Sequence, residues 1–80
     1  MNNLETYQNF YFVGIGGIGM SALARYFHAS GKTVLGYDKT NTKLTAALMS
    51  EGIDIVFDDV LNEKITSLSK ENTLVIYTPA

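Results

Sequence analysis

The chain has 80 residues, of which 46% are hydrophobic and 18% charged, a composition typical of one small globular domain and not of a disordered or fibrous protein. Its formal net charge is −2 and its six Lys and Arg residues are not clustered, which excludes a basic nucleic-acid-binding surface. With no cysteine, no basic leader and no apolar run of membrane-spanning length, the sequence predicts a cytoplasmic domain with neither a nucleic-acid nor a membrane partner.

A glycine-rich turn follows the first predicted strand, Asn9 to Val13. Residues 14–19 read Gly-Ile-Gly-Gly-Ile-Gly, the Gly-x-Gly-x-x-Gly pattern, and run directly into a helical pattern. We expect Gly14 to allow a tight turn, Gly16 to let backbone N–H groups approach a pyrophosphate, and Gly19 to let the helix pack on the strand. Because the helix N-terminus adds partial positive charge, the turn predicts a cradle for a nucleotide diphosphate. The alternative is a glycine turn with a structural role only.

The first predicted helix carries an apolar stripe and ends at Gly31. At 3.6 residues per turn, the residues expected to face the sheet are Met20, Leu23, Ala24 and Phe27. Ser21 lies in the first turn. Its hydroxyl either supplements the backbone N–H groups at a bound anion or satisfies a free helix donor.

Two features near the end of this helix resemble known sites without matching them. His28 lies more than two helical turns from the glycine turn and is interpreted as a surface or boundary residue and not as a catalytic one. Gly31-Lys32-Thr33 resembles the end of a P-loop, but position 26 is Tyr where a P-loop has Gly. The triplet also joins a helix to a strand and not a strand to a helix, so we reject ATP binding there.

The second predicted strand, Thr33 to Tyr37, is followed by an acidic residue. Asp38 lies 19 residues after Gly19, where a carboxylate can accept hydrogen bonds from the ribose of a nucleotide lying across the glycine turn. Otherwise Asp38 is a loop carboxylate that caps the next turn. Tyr37 either lies under the nucleotide or simply ends its strand.

The rest of the chain predicts two more helices and two more strands. The second helix is expected over roughly Thr42 to Glu51, with Asn41 as its N-cap, and a short third helix over Asn62 to Leu68. The remaining strands are expected over Ile53 to Phe57 and Thr73 to Tyr77.

Strands that alternate with helices predict right-handed βαβ units. We therefore expect an α/β fold, a Rossmann-like open parallel sheet with strand order 3-2-1-4 and helices on both faces, in which the glycine turn lies at the switch point. Thr78 follows the fourth strand at the same edge of the sheet, where it either contacts the base or ribose or is an ordinary loop residue. Because the pattern stops directly after that strand, we expect a domain that belongs to something larger.

No pattern in the chain predicts catalysis or a metal site. Asp54, Asp58, Asp59 and Glu63 straddle a strand end and a loop without recognisable ligand spacing, so we interpret them as a solvated acidic face. No nucleophile with a base surrounds the glycine turn. The sequence predicts a domain that binds a ligand, holds no cofactor or metal of its own and does not catalyse a reaction alone.

Three functions fit these residues. The first is a domain that binds a nucleotide-diphosphate-linked substrate, the second the NAD(P)-binding domain of an oxidoreductase or nucleotide sensor, and the third an interaction module that binds no nucleotide. NAD needs a second mononucleotide-binding half, whereas a nucleotide-linked substrate can extend from a four- or five-stranded domain toward a neighbouring catalytic one.

The run from Tyr11 to Ala24 matches more than the generic glycine pattern, through Gly17, Met20 and Ser21. It resembles the N-terminal signature of the Mur ligase family, in the branch that joins L-alanine to UDP-N-acetylmuramate. The resemblance extends through residues 36–38 and 77–80 and so covers essentially the whole chain. Many members carry His at position 11, Ser at position 37 and Ser-Ser-Ala at positions 78–80, where this chain has other residues.

The resemblance implies that residues 1–80 are the N-terminal, UDP-substrate-binding domain of a three-domain ligase, with ATP and Mg²⁺ bound by the parts that follow. It implies a reaction of peptidoglycan synthesis in two steps. ATP converts the muramoyl carboxylate into an acyl phosphate, and the amine of L-alanine then attacks that acyl phosphate to give an amide. UDP-N-acetylmuramate and the other domains of the same chain are the implied partners. The ribose and uridine would lie near Tyr37, Asp38 and Thr78. The residues assigned to the diphosphate are Gly14, Ile15, Gly16, Gly17, Ile18, Gly19, Met20 and Ser21.

Overall fold

The computed structural model describes residues 6–57 and 72–77. Its elements in chain order are strand β1 (Asn9–Val13), helix α1 (Ile18–Ala29), strand β2 (Thr33–Tyr37), helix α2 (Lys43–Ser50), strand β3 (Asp54–Val56) and strand β4 (Thr73–Ile76). The strands form one sheet in the order β3-β2-β1-β4, and every pair is parallel. The predicted α/β class and strand order are confirmed.

The two central strands have the predicted bounds, and the two outer strands are shorter than predicted. Ile53 lies before β3 because its N–H donates to the carbonyl of Leu48 at 3.1 Å and closes the end of α2. Phe57 lies beyond β3, since the pairing with β2 ends at Tyr37 opposite Val56. At the other edge, β4 ends where Ile76 pairs with Phe12.

The core of the described residues lies between the sheet and helices α1 and α2. Strand side chains alternate between the faces of the sheet, and Phe10 and Phe12 point toward the helices, where both are fully buried. The ring of Phe10 stacks on that of Phe27 from α1, with centroids 4.0 Å apart and an interplanar angle of 11°. This contact fixes α1 against the middle of the sheet.

The predicted apolar stripe of α1 is correct at three of its four positions. Ala24 and Phe27 are buried and Met20 packs against the core, but Leu23 is 39% exposed. Ser21 takes a buried place, because residues at i, i+3 and i+6 from Ser21 form the line that faces the sheet. Leu23 lies about 100° around the helix from Ala24 and so turns outward.

The N-cap of α2 is Thr42 and not Asn41, so that prediction is wrong. The Thr42 hydroxyl accepts the N–H of Thr45 at 3.2 Å, and the Thr45 hydroxyl accepts the N–H of Thr42 at 2.8 Å. This reciprocal capping box satisfies two backbone donors at once. Asn41 lies one residue before the N-cap, and its side-chain oxygen accepts a hydrogen bond from the Thr45 hydroxyl at 3.3 Å.

Both described helices pack on the same face of the sheet and contact each other. Arg25 of α1 and Glu51, which follows α2, form a two-pronged ion pair with N···O distances of 2.9 and 2.8 Å.

On the opposite face of the sheet, partial burial and, to a lesser degree, the neighbouring Tyr37 raise the pKa of Tyr11 above its ordinary value. The predicted third helix, Asn62 to Leu68, lies outside the described residues, so helices on both faces stay a prediction.

Candidate functional site

The glycine turn lies at the carboxyl edge of the sheet, between β1 and α1. Gly14 has a φ of +84°, which explains the need for glycine at that position and confirms its predicted role. The N–H groups of Gly14 and Ile15 both donate to the carbonyl of Tyr37, at 2.7 and 3.1 Å. The turn is therefore attached to the end of β2, while the Ile15 side chain is fully buried in the core.

Gly16 is enclosed by side chains from two other segments. Its N–H donates to Oδ2 of Asp38 at 2.8 Å. A Cβ atom built on Gly16 would lie 2.8 Å from that same oxygen and 2.9 Å from Cγ2 of Thr45. Glycine is required here because the protein itself approaches the backbone. Whether a pyrophosphate approaches it as well stays a prediction.

The first turn of α1 presents backbone donors beside this loop. Gly17 is the N-cap and has no side-chain capping bond, and the first turn holds no acidic residue. The N–H of Gly17 donates to Gly14 at 3.1 Å and that of Ser21 to Gly17 at 2.8 Å. The N–H groups of Ile18, Gly19 and Met20 have no partner within the helix, since they belong to its first turn. With the helix dipole, these three groups give this end of α1 the donors and the partial positive charge that suit an anion, and the binding of a diphosphate there stays a prediction.

Gly19 does not have the role in helix packing that the pattern predicted. A Cβ atom on Gly19 would meet no atom of the described residues within 4 Å. The close contact is made by Gly36 in β2, where a Cβ atom would lie 2.7 Å from both Ile15 Cδ1 and the carbonyl oxygen of Phe12. Our reasoning from the sequence missed Gly36, although a glycine inside a strand is itself a signal of close approach.

The Ser21 hydroxyl is engaged within α1 and does not satisfy a free helix donor, while its contact with a bound anion stays a prediction. The residue is 3% exposed, and its hydroxyl donates to the carbonyl of Ile18 at 2.9 Å. The bond runs back to a carbonyl three residues earlier in the same helix, not to a free helix donor.

Asp38 caps the following turn and holds the glycine turn at the same time. Its Oδ1 accepts the N–H of Thr40 at 3.0 Å, while Oδ2 accepts the N–H of Gly16. A carboxylate offers about four lone-pair sites, so roughly two remain for other donors. The predicted capping of the next turn is confirmed, and a ribose contact stays a prediction.

The structure describes one of the two other residues that were predicted to contact the nucleoside. Tyr37 pairs with Val13 in register, which places its half-buried side chain on the face opposite the helices. Thr78 lies outside the described residues, as do three of the four acids interpreted as a solvated face; the fourth, Asp54, is exposed.

The remaining candidates lie away from the glycine turn. The imidazole of His28 packs near Gly52, where a Cβ atom would lie 3.2 Å from Nε2. Lys32 joins α1 to β2, as predicted for the segment that resembles a P-loop. Within residues 6–57 and 72–77 there is no group of three or more His, Asp or Glu residues that could hold a metal ion. In the same residues, no helix is long and apolar enough to cross a membrane.

A comparison with known protein families decides between the alternatives. The model described as "Mur ligase family, catalytic domain" matches residues 9–80. The chain belongs to the Mur ligase family. This finding agrees with the resemblance seen in the sequence and not with the oxidoreductase alternative.

Similar Mur ligases occur in several bacteria. The chain is 59% identical over 78 residues to the UDP-N-acetylmuramate–L-alanine ligase of Flavobacterium johnsoniae, covering 98% of this chain and 17% of that protein. It is 51% identical over 83 residues to the enzyme of the same name from Christiangramia forsetii, covering 100% of this chain and 18% of that protein. For the Porphyromonas gingivalis enzyme the identity is 54% over 71 residues, with 88% and 16% covered. The chain therefore spans less than a fifth of the length of these relatives.

Proposed function

We propose that this chain is the UDP-N-acetylmuramate-binding domain of a UDP-N-acetylmuramate:L-alanine ligase. The names of the similar Mur ligases support the substrate, and the parallel sheet with its glycine turn supports a nucleotide-binding role. The 80 residues form the first of three domains and do not catalyse the reaction alone.

The observation that carries this proposal is the open first turn of α1 beside the glycine turn. Gly17 has no side-chain cap, and no acidic side chain in the first turn competes for the N–H groups. The diphosphate of the ligand accepts hydrogen bonds from Ile18, Gly19 and Met20, where the helix dipole adds favourable charge. The N–H groups of Gly14, Ile15, Gly17 and Ser21 are engaged within the protein and shape the site without donating to the ligand.

The nucleoside extends from the diphosphate toward the end of β2. Asp38 retains roughly two lone-pair sites after binding Gly16 and Thr40, and these accept the ribose hydroxyls. Tyr37 and Thr78 lie near the uridine in this proposal.

The chemistry belongs to the complete ligase. The muramoyl carboxylate attacks the terminal phosphorus of ATP, which gives an acyl phosphate and releases ADP. The amine of L-alanine then attacks the acyl carbon, phosphate leaves, and an amide bond forms. ATP and Mg²⁺ bind outside these 80 residues, and the product enters peptidoglycan synthesis in the cytoplasm.

An amide NMR titration tests the proposal. The ¹⁵N-labelled chain is titrated separately with UDP-N-acetylmuramate and with NAD. We expect the UDP-sugar to shift the resonances of Ile18, Gly19 and Met20, while those of Ala29 and Ser30 at the other end of α1 serve as internal controls. Uridine, which lacks the diphosphate, should leave these three resonances in place. Shifts with NAD and none with the UDP-sugar would contradict the proposal.

A further inference from the structure

Gly16 is held from two sides by residues that lie far from it in the sequence. Asp38 accepts its N–H at 2.8 Å across a separation of 22 residues. Cγ2 of Thr45 lies 2.9 Å from the position a Cβ atom of Gly16 would take. One contact is a charge-assisted hydrogen bond and the other is apolar packing.

The orientation of Thr45 is fixed by the capping box of α2. Thr45 is fully buried, and its hydroxyl accepts the N–H of Thr42 and lies 2.9 Å from the Thr42 carbonyl, to which it can donate. Because the hydroxyl is bound within the cap, the methyl group is directed at Gly16. The N-terminus of α2 therefore supports the glycine turn.

The orientation of Asp38 is fixed by hydrogen bonds to β3 and to the turn that follows Asp38. Its backbone N–H donates to the carbonyl of Val56 at 3.1 Å, and Oδ1 accepts the N–H of Thr40 at 3.0 Å. The carboxylate therefore approaches Gly16 from a rigid point at the end of β2. A negative charge at this donor also disfavours a phosphate there, so the remaining donors in the first turn of α1 are the ones left for an anion.

We infer that Asp38 and Thr45 are positioning residues that hold Gly16, and with it the glycine turn, in the conformation that presents the first turn of α1 to the ligand. Two consecutive glycines, Gly16 and Gly17, give this segment a large backbone entropy when it is unrestrained. Restraining it before the ligand arrives lowers the entropy lost on binding. The inference rests on the proposed function only for its effect on ligand affinity.

Hydrogen exchange of the ligand-free 80-residue chain tests the restraint directly. In Asp38→Leu, which removes the acceptor, the Gly16 amide should exchange about tenfold faster or more. Asp38→Asn keeps an oxygen in place and should retain part of the protection.

Two substitutions at Thr45 separate its methyl group from its hydroxyl. Thr45→Ser keeps the capping hydroxyl and removes Cγ2, so it should accelerate exchange at Gly16 while the amides of α2 stay unchanged. Thr45→Val keeps a methyl group at the turn and should accelerate exchange at the start of α2 more than at Gly16. Thr33→Val, an exposed change at the opposite end of β2, is the matched control and should alter neither.

A titration with UDP distinguishes this inference from the proposed function. Tighter UDP binding by the wild-type chain than by Asp38→Leu and Thr45→Ser, together with faster Gly16 exchange in both variants, supports the inference. Faster exchange in a chain that does not bind UDP supports the restraint and refutes the proposed function. Unchanged Gly16 exchange in folded Asp38→Leu and Thr45→Ser overturns the inference, even where UDP binds.

Discussion

Gly36 of β2 lies directly beneath the side chain of Ile15, so that a Cβ atom at position 36 would be 2.7 Å from Ile15 Cδ1 and 2.7 Å from the carbonyl oxygen of Phe12. Ile15 belongs to the glycine turn and is fully buried. The backbone of β1 cannot move aside without breaking its pairing with β2, in which Phe12 and Gly36 are register partners. The glycine turn therefore packs on β2 at position 36, where the structure has room only for glycine.

Replacing Gly36 with Ala should destabilise the domain by about 3 kcal/mol, because the methyl group meets backbone on one side and a buried side chain on the other. Urea unfolding followed by circular dichroism measures the change. A Gly36→Ala variant as stable as the wild type would mean that β1 and β2 tolerate a wider spacing than the structure has.

Gly19→Ala is the matched control for that substitution and a test of the proposed site. A methyl group at Gly19 meets no described atom within 4 Å, and Ala is favoured over Gly in a helix by up to about 1 kcal/mol. We expect equal or greater stability in urea unfolding but weaker UDP binding by calorimetry, since the methyl group enters the space assigned to the diphosphate. Unchanged UDP affinity would place the phosphates elsewhere.

Asp38→Ala addresses the ribose contact separately from the restraint on Gly16. Loss of the carboxylate should weaken binding of UDP more than binding of 2′,3′-dideoxy-UDP, because only UDP has the hydroxyls that the carboxylate accepts. Calorimetry with both ligands gives the two ratios. An equal loss for both ligands would leave Asp38 only its role at the glycine turn.

The sequence predicted the central strands and Gly14 because the signals there are local. A short apolar run followed by a glycine with positive φ is decided by neighbouring residues. The hydrogen bond between Gly16 and Asp38 was not predicted. The pattern placed both residues at one edge of the sheet, but whether they contact each other depends on how β2 and the turn meet in three dimensions.

The errors in the helices have equally specific causes. Hydropathy favours Leu23 over Ser21 for the buried face of α1, yet the rotation of the helix is set by its start at Ile18 and by the stacking of Phe27 on Phe10. Asn41 and Thr42 both carry side chains suited to an N-cap. The choice between them follows from the extended backbone of Thr42 and its partner Thr45, which no local preference specifies.

The capping assignment can be tested by a pair of substitutions. Thr42→Ala removes the hydroxyl that accepts the N–H of Thr45 and should destabilise the domain by about 1 kcal/mol. Asn41→Ala loses only a 3.3 Å contact with the Thr45 hydroxyl, which has a second acceptor in the Thr42 carbonyl. Its effect on the urea midpoint should therefore be smaller, and the reverse order of effects would restore Asn41 as the cap.

The ion pair between α1 and the end of α2 predicts a dependence of stability on pH. The hydrogen bonds from Arg25, together with the charges of Arg25 and His28, lower the pKa of Glu51 from its ordinary value of 4.5. A carboxyl group whose pKa is lowered by folding stabilises the folded state above its unfolded pKa, and this contribution is lost as the pH falls through the folded pKa. The pair is exposed, so the effect should be small and should decrease with added salt.

Urea unfolding of the wild type and of Glu51→Gln, measured from pH 7 to about pH 3, provides the comparison. The wild type should be the more stable of the two at pH 7, and the difference should shrink below pH 4.5 as Glu51 becomes protonated. In an Arg25→Met background, the pH-dependent effect of Glu51→Gln should decrease to the small part that the charge of His28 contributes, because the hydrogen bonds from Arg25 are the largest cause of the lowered pKa. A difference that persists at low pH, or that the loss of Arg25 does not reduce, would show that the ion pair does not connect the two helices in solution.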